Sequence, residues 1–245
     1  MAGIPIWERS VRLRQYGLGL MEYKLLRFFG SNVSRLAKIL SLLTMLLVLA
    51  GTSFVSAEPF RIVGFGDSLM AGYQLEAGAG FPERLEKALQ DRGLDISVAN
   101  AGVSGDTTSG GLSRLDWSVP DDTDLVILEL GANDMLRGIR PEVTEENLEK
   151  IILRLKERGI GILLIGMYAA PNLGADFITR FDALYPRLAE KYDLPLVPFF
   201  LEGVITDGGL LLADGMHPNA EGVNRMVETV LPTLLTIVEQ EKKNM

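Results

Sequence analysis

The body of the chain alternates short apolar runs with segments of helical periodicity, and this alternation constrains the fold more than any other feature. The sequence predicts five strands, at residues 60–66, 95–100, 125–130, 160–167 and 196–200. The fourth run is apolar throughout, as expected when helices cover both faces of a parallel sheet. Pro198 interrupts the fifth run, which favours an edge position. We therefore predict an α/β fold with a parallel sheet and right-handed crossovers.

Breakers and caps indicate where the helices between these strands begin. Pro82 marks the start of one helix, and Thr144 with the two glutamates that follow it indicates the start of another. A final helix is predicted over residues 219–240, and Pro232 is expected to bend it.

The first 57 residues differ in composition from the rest and are predicted to be a leader. Arg35 and Lys38 precede an apolar core at about 39–55, and Val55 and Ala57 supply small residues at the −3 and −1 positions of a cleavage site. We predict a signal peptide cleaved after Ala57, a periplasmic or secreted location, and one domain over 58–245. The alternative is an uncleaved inner-membrane anchor, because the apolar core is barely long enough to span.

Charge and cysteine content exclude several classes of function. Residues 58–245 carry 17 basic and 30 acidic side chains, a net charge of −13, which argues against nucleic acid as a partner. The chain has no cysteine, which excludes disulfides, thiolate catalysis and cysteine-based zinc sites. A single histidine, His217, cannot build a histidine-rich metal site, so we expect no metal.

Three of the predicted strands end on glycine with small polar residues. These ends are Gly-Asp-Ser-Leu at 66–69, Asn-Ala-Gly at 100–102 and Gly-Ala-Asn-Asp at 131–134. Loops at the carboxyl ends of parallel strands converge on one crevice, where Ser68 would be useful as a nucleophile. The alternatives are that Asp67 and Ser68 cap the next helix, that Gly102 belongs to a tight turn and that Asn133 is a turn former.

Asp214 precedes His217 by three residues, a separation that one turn of backbone can bring to one side. An aspartate that accepts a hydrogen bond from one ring nitrogen fixes the tautomer and stabilises the imidazolium formed during proton transfer. The pair is thus a candidate orienting group and base. Together with Ser68 it supplies the elements of an acyl-transfer triad, Ser68, Asp214 and His217.

The motifs around Ser68, Gly102, Asn133 and His217 resemble those of the GDSL-type or SGNH hydrolases. The resemblance covers residues from about 60 to the last helix. Within this family, the sequences at 68–73, 103–107 and 196–200 are most similar to those of exported bacterial arylesterases and multifunctional thioesterase/lysophospholipase enzymes.

This resemblance implies a flavodoxin-like three-layer α/β/α sandwich with strand order 2-1-3-4-5 and no cofactor. It also implies an oxyanion hole made by the backbone N–H groups of Ser68 and Gly102 and the side-chain amide of Asn133. The sequence lacks a Gly-x-Ser-x-Gly elbow around Ser68, so the ordinary α/β-hydrolase fold is not indicated.

The predicted function is hydrolysis of small-molecule carboxylic esters or thioesters through an acyl-enzyme on Ser68, with aryl esters, acyl thioesters and lysophospholipids as candidate substrates. Membrane contact is expected only through an uncleaved leader. Apolar loop residues could line an acyl groove or merely pack the loops onto the body; they are Tyr73, Leu75, Tyr168, Pro171, Leu173 and Leu212. The rival functions are a carbohydrate acetylesterase, for which only Trp7 and Trp117 could supply tryptophan stacking, and a non-catalytic exported binding module.

Overall fold

The computed structural model describes residues 35, 37–42 and 59–244. The coordinates divide into two compact units, Met1–Ala57 and Glu58–Met245. In the first unit, residue 35 and residues 37–42 are helical, whereas most of the predicted apolar core and the predicted cleavage site lie outside the described residues. Among the described helices, none combines the length and apolar character needed to cross a bilayer. The signal peptide therefore stays a prediction.

Within residues 59–244, five parallel strands form one sheet in the order β2-β1-β3-β4-β5. The strands are β1 Phe60–Gly66, β2 Ile96–Gly102, β3 Leu125–Glu129, β4 Gly161–Ile165 and β5 Leu196–Val197. The parallel sheet, its strand order and the edge position of the fifth strand are as predicted. All five carboxyl ends meet at one edge of the sheet.

Helices cover both faces of the sheet. They are α1 Ser68–Ala71, α2 Phe81–Gln90, α3 Thr108–Ser118, α4 Ala132–Leu136, α5 Pro141–Glu157, α6 Ala175–Asp182, α7 Leu184–Tyr192 and α8 Ala220–Asn244. Helices α2 and α8 contact each other in one layer, whereas α5 contacts α3, α6 and α7 in the other. The result is the expected three-layer sandwich.

The core lies where the central strands meet these layers. Every residue of β3 is buried, and in β1 the buried run extends from Ile62 to Gly66. Burying both faces of the central strands requires continuous apolar sequence, which explains why these strands read as apolar runs and not as alternating patterns.

The structure corrects several predicted boundaries: β2 spans Ile96–Gly102 and not 95–100, β3 ends at Glu129, and β4 is limited to Gly161–Ile165. Helix α5 begins at Pro141, whose fixed φ suits the first helical position, and the hydroxyl of Thr144 instead donates to the buried Asp134 Oδ1 at 3.3 Å. Pairing in β5 stops at Val197, because the Gly166 carbonyl next accepts the N–H of Phe200 and no longer that of residue 199, which the strand register would require. Helix α8 extends to Asn244 with Pro232 inside it.

Candidate active site

Ser68 lies just past the carboxyl end of β1, as the first residue of α1. Asp67 caps this short helix, because its Oδ1 accepts the N–H of Leu69 at 3.0 Å, and Gly72 ends the helix with φ +75°. The first N–H groups of a helix have no intrahelical acceptor, so the Ser68 amide remains a donor at this end. Capping therefore accounts for Asp67, whereas the Ser68 hydroxyl contacts another loop.

That hydroxyl faces His217. Nε2 of His217 lies 3.0 Å from Ser68 Oγ, and Nδ1 lies 2.7 Å from Asp214 Oδ2. A carboxylate can only accept, so Nδ1 carries the proton and Nε2 is left as the acceptor for the Ser68 O–H. The structure thus brings the three predicted triad residues together in hydrogen-bonding order.

The segment 211–218, called the His217 loop below, holds Asp214 and His217 in this arrangement. An isolated antiparallel bridge pairs Leu211 with Pro218, and the N–H of Leu212 donates to the carbonyl of His217 at 2.7 Å. The other oxygen of Asp214 accepts the N–H groups of Met216 and His217 at 2.9 and 3.0 Å. One aspartate therefore organises both the backbone of the loop and the orientation of its imidazole.

These contacts also fix the charge of Asp214. The N–H groups of His217 and Met216, followed by the imidazole itself, lower the pKa of Asp214 to about 2. Its side chain is about one-third exposed, so burial opposes this shift only weakly. Asp214 is consequently a carboxylate over the whole range in which an imidazole titrates.

A second group of polar residues lies beneath Ser68 and is called the floor below: Asp67, Glu129 and Asn133. The Nδ2 of Asn133 donates to Asp67 Oδ2 at 2.9 Å, and the N–H of Asp67 donates to Glu129 Oε2 at 3.1 Å. Asp67 and Glu129 are 1% and 2% exposed. Two carboxyl groups therefore share a nearly dry site, one of them in direct contact with the predicted oxyanion-hole amide.

Burial raises the pKa of both carboxyl groups in the floor, and the neighbouring charge raises that of Glu129 further. Burial, then the nearby Asp67 charge, raises the pKa of Glu129 well above its usual value. The pKa of Asp67 is also raised by burial, but the hydrogen bonds from Leu69 and Asn133 oppose that rise. Ionisation is therefore disfavoured at both carboxyl groups, and more strongly at Glu129 than at Asp67.

Glycine is required at two positions around this floor. A Cβ on Gly102 would lie 2.7 Å from Ala71 Cα, so glycine permits α1 to approach the end of β2. Gly131 has φ +124°, a conformation that strains other residues, and it directly precedes the α4 segment that carries Asn133. The N–H of Gly102 donates to Asn100 Oδ1 at 3.0 Å in this structure.

An apolar cavity of about 730 Å³ opens beside the triad, within the size range of ligand pockets. Ser68, Asn133 and His217 lie in its wall with the following residues: Asp67, Leu69, Tyr73, Ser104, Gly105, Ala132, Met135, Leu136, Met167, Tyr168, Ala169, Ala170, Pro171, Phe199, Leu201, Ile205 and Met216. The wall is mostly hydrophobic, and its polar groups are concentrated at the triad and floor.

The six predicted substrate-binding residues occupy different places. Tyr73, Tyr168 and Pro171 line the cavity. Leu75 and Leu173 pack against the hydrophobic core, and Leu212 contributes the backbone bond that closes the His217 loop.

Tyr73 also contacts the imidazole directly. The two ring centroids are 4.4 Å apart with planes inclined by 40°. Such a contact between rings stabilises their relative position. Tyr73 thus helps to hold His217 against Ser68.

Sequence reasoning missed Asp67 and Glu129 as parts of the site. Glu129 was detectable as the lone acid in the apolar run 125–130. Burying a carboxyl group costs free energy, so an acid in a buried strand indicates a specific role. Arg114 was missed too; it is 6% exposed and contacts the ends of β1 and β2. No periodicity in α3 distinguishes it from a surface arginine.

The described residues contain no group of three or more histidine, cysteine, aspartate or glutamate side chains able to hold a metal ion. The contacts around Ser68 bring together a hydroxyl, an imidazole, a carboxylate and an amide donor. Such a set can carry out acyl transfer through a serine.

Comparison with known proteins gives a consistent result. Residues 65–225 match the GDSL-like Lipase/Acylhydrolase family. An arylesterase of Vibrio mimicus is 40% identical over 184 residues, which is 75% of this chain and 92% of that protein. The thioesterase 1/protease 1/lysophospholipase L1 of Escherichia coli strain K12 is 35% identical over 190 residues, covering 77% and 90%.

A solved structure shows the same fold. AlinE4, described as an SGNH-hydrolase family esterase, is 47% identical and superposes with a TM-score of 0.63 over 74% of this chain and 97% of its own. The similarity therefore extends over nearly the whole of that esterase.

Proposed function

The chain belongs to the GDSL-like lipase/acylhydrolase family and is a carboxylic ester hydrolase, and we propose that it acts on acyl esters and thioesters through an acyl-enzyme on Ser68. The observation that carries this proposal is the position of His217, with Ser68 Oγ at 3.0 Å from one ring nitrogen and Asp214 at 2.7 Å from the other. This is the order of contacts that a nucleophile, a base and an orienting group require.

In the first step, Ser68 Oγ attacks the substrate carbonyl carbon while His217 Nε2 takes the hydroxyl proton. The imidazolium that results is stabilised by the Asp214 carboxylate. The carbonyl oxygen becomes an oxyanion, to which the Ser68 and Gly102 N–H groups and Asn133 Nδ2 donate. The Gly102 N–H, which donates to Asn100 Oδ1 in this structure, is then shared between that oxygen and the oxyanion.

In the second step, His217 protonates the leaving alkoxide or thiolate as the tetrahedral species collapses to the acyl-enzyme. Water then attacks the acyl-enzyme, with His217 again accepting a proton, and Ser68 is released. Each proton that leaves an attacking oxygen is returned to a departing group, so the enzyme ends in its starting state.

Replacing Ser68 by alanine tests the mechanism. The Ser68→Ala enzyme is expected to lose about a millionfold in kcat on p-nitrophenyl esters, because the residues of a triad act as a unit. A fluorophosphonate should label the wild-type protein stoichiometrically and leave Ser68→Ala unlabelled. Ser113→Ala is the control, since that exposed hydroxyl only contacts a backbone carbonyl of its own helix.

Two outcomes would contradict this mechanism. A Ser68→Ala protein that keeps most of its activity would exclude Ser68 as nucleophile. A wild-type protein that resists labelling would favour the rival reading of a non-catalytic binding module.

The apolar cavity beside Ser68 supports acyl chains as the substrate class. Burying a methylene group contributes about 0.8 kcal/mol, which is roughly fourfold in kcat/KM if the chain enters the cavity. We expect kcat/KM for p-nitrophenyl esters to rise by at least tenfold from acetyl to octanoyl. Equal values of kcat/KM would contradict an acyl-binding groove and would favour the alternative function, a carbohydrate acetylesterase.

Leu136→Glu tests the same cavity from its wall. Leu136 is exposed and lines the cavity, so a carboxylate there should disfavour long chains while leaving acetyl esters nearly unaffected. Leu153→Glu is the matched control, because Leu153 is an exposed leucine on α5 away from the cavity. An equal chain-length profile in both variants would argue against this wall as the acyl site.

We further propose that residues 1–57 direct export. The basic residues, the apolar core at about 39–55 and the small residues before Glu58 support a cleaved signal peptide. N-terminal sequencing of the exported protein should read Glu58-Pro59-Phe60. A mature protein that retains residues 1–57 in the membrane fraction would support the anchor instead.

A further inference from the structure

Arg114 is a buried arginine on α3 whose contacts are concentrated at the carboxyl ends of two strands. Its Nη2 donates to the carbonyl of Gly66 at 2.9 Å, and its Nη1 donates to the carbonyl of Ala101 at 2.8 Å. Gly66 and Gly102 form the last registered pair of β1 and β2. The guanidinium therefore bridges the two strands at the point where their ladder ends.

Both carbonyls belong to the backbone that leads to a proposed oxyanion donor. The Ala101 carbonyl and the Gly102 N–H are the two ends of one peptide unit, so fixing the oxygen fixes the direction of that N–H. The Gly66 carbonyl belongs to the peptide unit that enters the turn at Ser68. The N–H of that same unit, on Asp67, is held by Glu129 Oε2 at 3.1 Å.

The remaining contacts fix the guanidinium itself. Nε donates to Asp106 Oδ2 at 2.7 Å, in an ion pair whose two side chains are both nearly buried. Nη1 also contacts Ser118 Oγ at 3.3 Å, and the guanidinium carbon lies 4.1 Å from the centroid of the Phe65 ring. All three nitrogens of the planar guanidinium thus donate hydrogen bonds, and the single ammonium group of a lysine cannot reproduce this arrangement.

We infer that Arg114 is a positioning residue for the reaction, which fixes the relative placement of the Ser68 and Gly102 N–H groups by holding the carbonyls of Gly66 and Ala101. This inference rests on the proposed function. Arg114 touches neither the cavity nor the reacting atoms, so its effect is exerted through these two peptide units. Loss of the bridge should weaken stabilisation of the oxyanion more than binding of the substrate.

Arg114→Lys tests this inference, with Arg158→Lys as the matched control. Arg158 likewise donates to a carbonyl, that of Val119, and pairs with Asp121, but it lies towards the amino end of β3. Rates on p-nitrophenyl butyrate are expressed per active site titrated with a fluorophosphonate, so that unfolded protein does not count. We expect kcat to fall tenfold to a hundredfold in Arg114→Lys with KM within about threefold, and to change less than twofold in Arg158→Lys.

The inhibition constant of a trifluoromethyl ketone measures stabilisation of the oxyanion, and a general loss of protein stability would not change it. Ser68 Oγ adds to the ketone carbon, the hydroxyl proton passes to His217, and the ketone oxygen becomes an oxyanion that needs the same donors. The inhibition constant of 1,1,1-trifluoroheptan-2-one should rise in Arg114→Lys by the factor by which kcat/KM falls. Asp106→Asn, which removes the charge partner but keeps an acceptor for Nε, should change kcat less than fivefold.

The outcomes separate this inference from the proposed function. If Ser68→Ala loses activity but Arg114→Lys matches Arg158→Lys, the positioning role of Arg114 is wrong and the function stands. An unchanged inhibition constant, or an equal loss in Asp106→Asn, would also overturn it. If Ser68→Ala keeps its activity, the proposed function and this inference fail together.

Discussion

The His217 loop and the floor both use carboxyl groups beside the same serine, yet their environments give those groups opposite properties. Asp214 in the loop is about one-third exposed and accepts two backbone N–H groups, which lower its pKa to about 2. Glu129 in the floor is 2% exposed and lies against Asp67, which together raise its pKa well above the usual value. Residue type alone therefore does not decide charge at this site; hydrogen bonding and burial do.

The difference suits the proposed chemistry. The loop must stabilise an imidazolium that forms during proton transfer, so its carboxylate has to stay charged. The floor lies beneath a developing oxyanion, where a second negative charge would oppose the reaction. The raised pKa of Glu129 favours its neutral carboxyl, which still accepts the Asp67 N–H and adds no charge.

Asp214→Asn removes the charge from the loop and is expected to have the largest effect of the three changes considered next. We expect kcat to fall about 10³–10⁴-fold, in line with the loss of the aspartate in serine-protease triads. Steady-state kinetics on p-nitrophenyl butyrate measure it. The asparagine oxygen can still accept the N–H groups of Met216 and His217, so the loop should keep its shape.

Asp207→Asn is the control for this change. Asp207 is an exposed turn aspartate that accepts the N–H of Gly209 at 2.9 Å and contacts no triad residue. If both variants lose activity equally, or if Asp214→Asn loses less than tenfold, the charge of Asp214 does not matter to the reaction.

The pH dependence sharpens the same comparison. The low pKa of Asp214 keeps its carboxylate ionised well above pH 2, so protonation of Asp214 should not contribute to the fall of kcat/KM expected between pH 8 and pH 5. Because that pKa lies below the 3.8 of an unfolded chain, the stability it contributes is present above pH 3.8 and is lost as the pH falls towards 2. A flat rate between pH 5 and 8 would argue against His217 as the base.

Asn133→Ala tests the donor that the floor presents. Nδ2 donates one hydrogen to Asp67 Oδ2 and retains a second for the oxyanion, so its loss should lower kcat about a hundredfold to a thousandfold, with KM nearly unchanged. Asn147→Ala is the control, because that amide donates to Thr108 Oγ1 and lies outside the cavity wall. A rise in KM with unchanged kcat would instead make Asn133 a substrate-binding residue.

Glu129→Gln is expected to have the smallest effect on rate, within threefold, because the amide keeps the size and an acceptor for the Asp67 N–H. Its effect should appear in stability. A carboxyl whose pKa is raised in the folded state binds a proton there that the unfolded chain has released above about pH 4.5. Wild-type stability therefore falls as the pH rises through that window, by up to about 1.4 kcal/mol per pH unit.

The amide cannot titrate. The free energy of unfolding of Glu129→Gln should therefore increase relative to that of the wild type as the pH rises from about 5. Urea unfolding at a series of pH values measures this difference. Glu86→Gln, which alters a half-buried acceptor of the Val98 N–H in the outer layer, is the comparison variant. A constant difference between Glu129→Gln and wild type across pH would mean that Glu129 is ionised, and the contrast between loop and floor would fail.

Much of the fold and the triad could be predicted from the sequence, because both leave local signals. The apolar runs predicted the strands, and the edge position of β5 followed from Pro198. Ser68, Asp214 and His217 were found from residue type, chain order and their place in the chain. Ser68 and Asp214 each lie within hydrogen-bonding distance of His217. Boundaries were less predictable, as α5 shows: Thr144 resembled a cap but its hydroxyl binds Asp134.

The substrate wall could not be read in the same way. Leu75 and Leu173 have the same apolar character as Pro171 and Tyr168, yet the first two pack against the core and the last two line the cavity. Which side of a loop faces inwards depends on tertiary packing, which the apolar character of a residue does not reveal.

The sequence by itself determined the alternation of strands and helices and supplied the nucleophile, base and orienting acid, since each depends on local pattern or residue type. Only the tertiary structure decided the raised pKa of Glu129 and the bridging by Arg114. Glu129 lies 62 residues from the Asp67 it contacts, and Arg114 lies 48 residues from Gly66. Such effects arise from burial and from distances between strands, which no local stretch of sequence encodes.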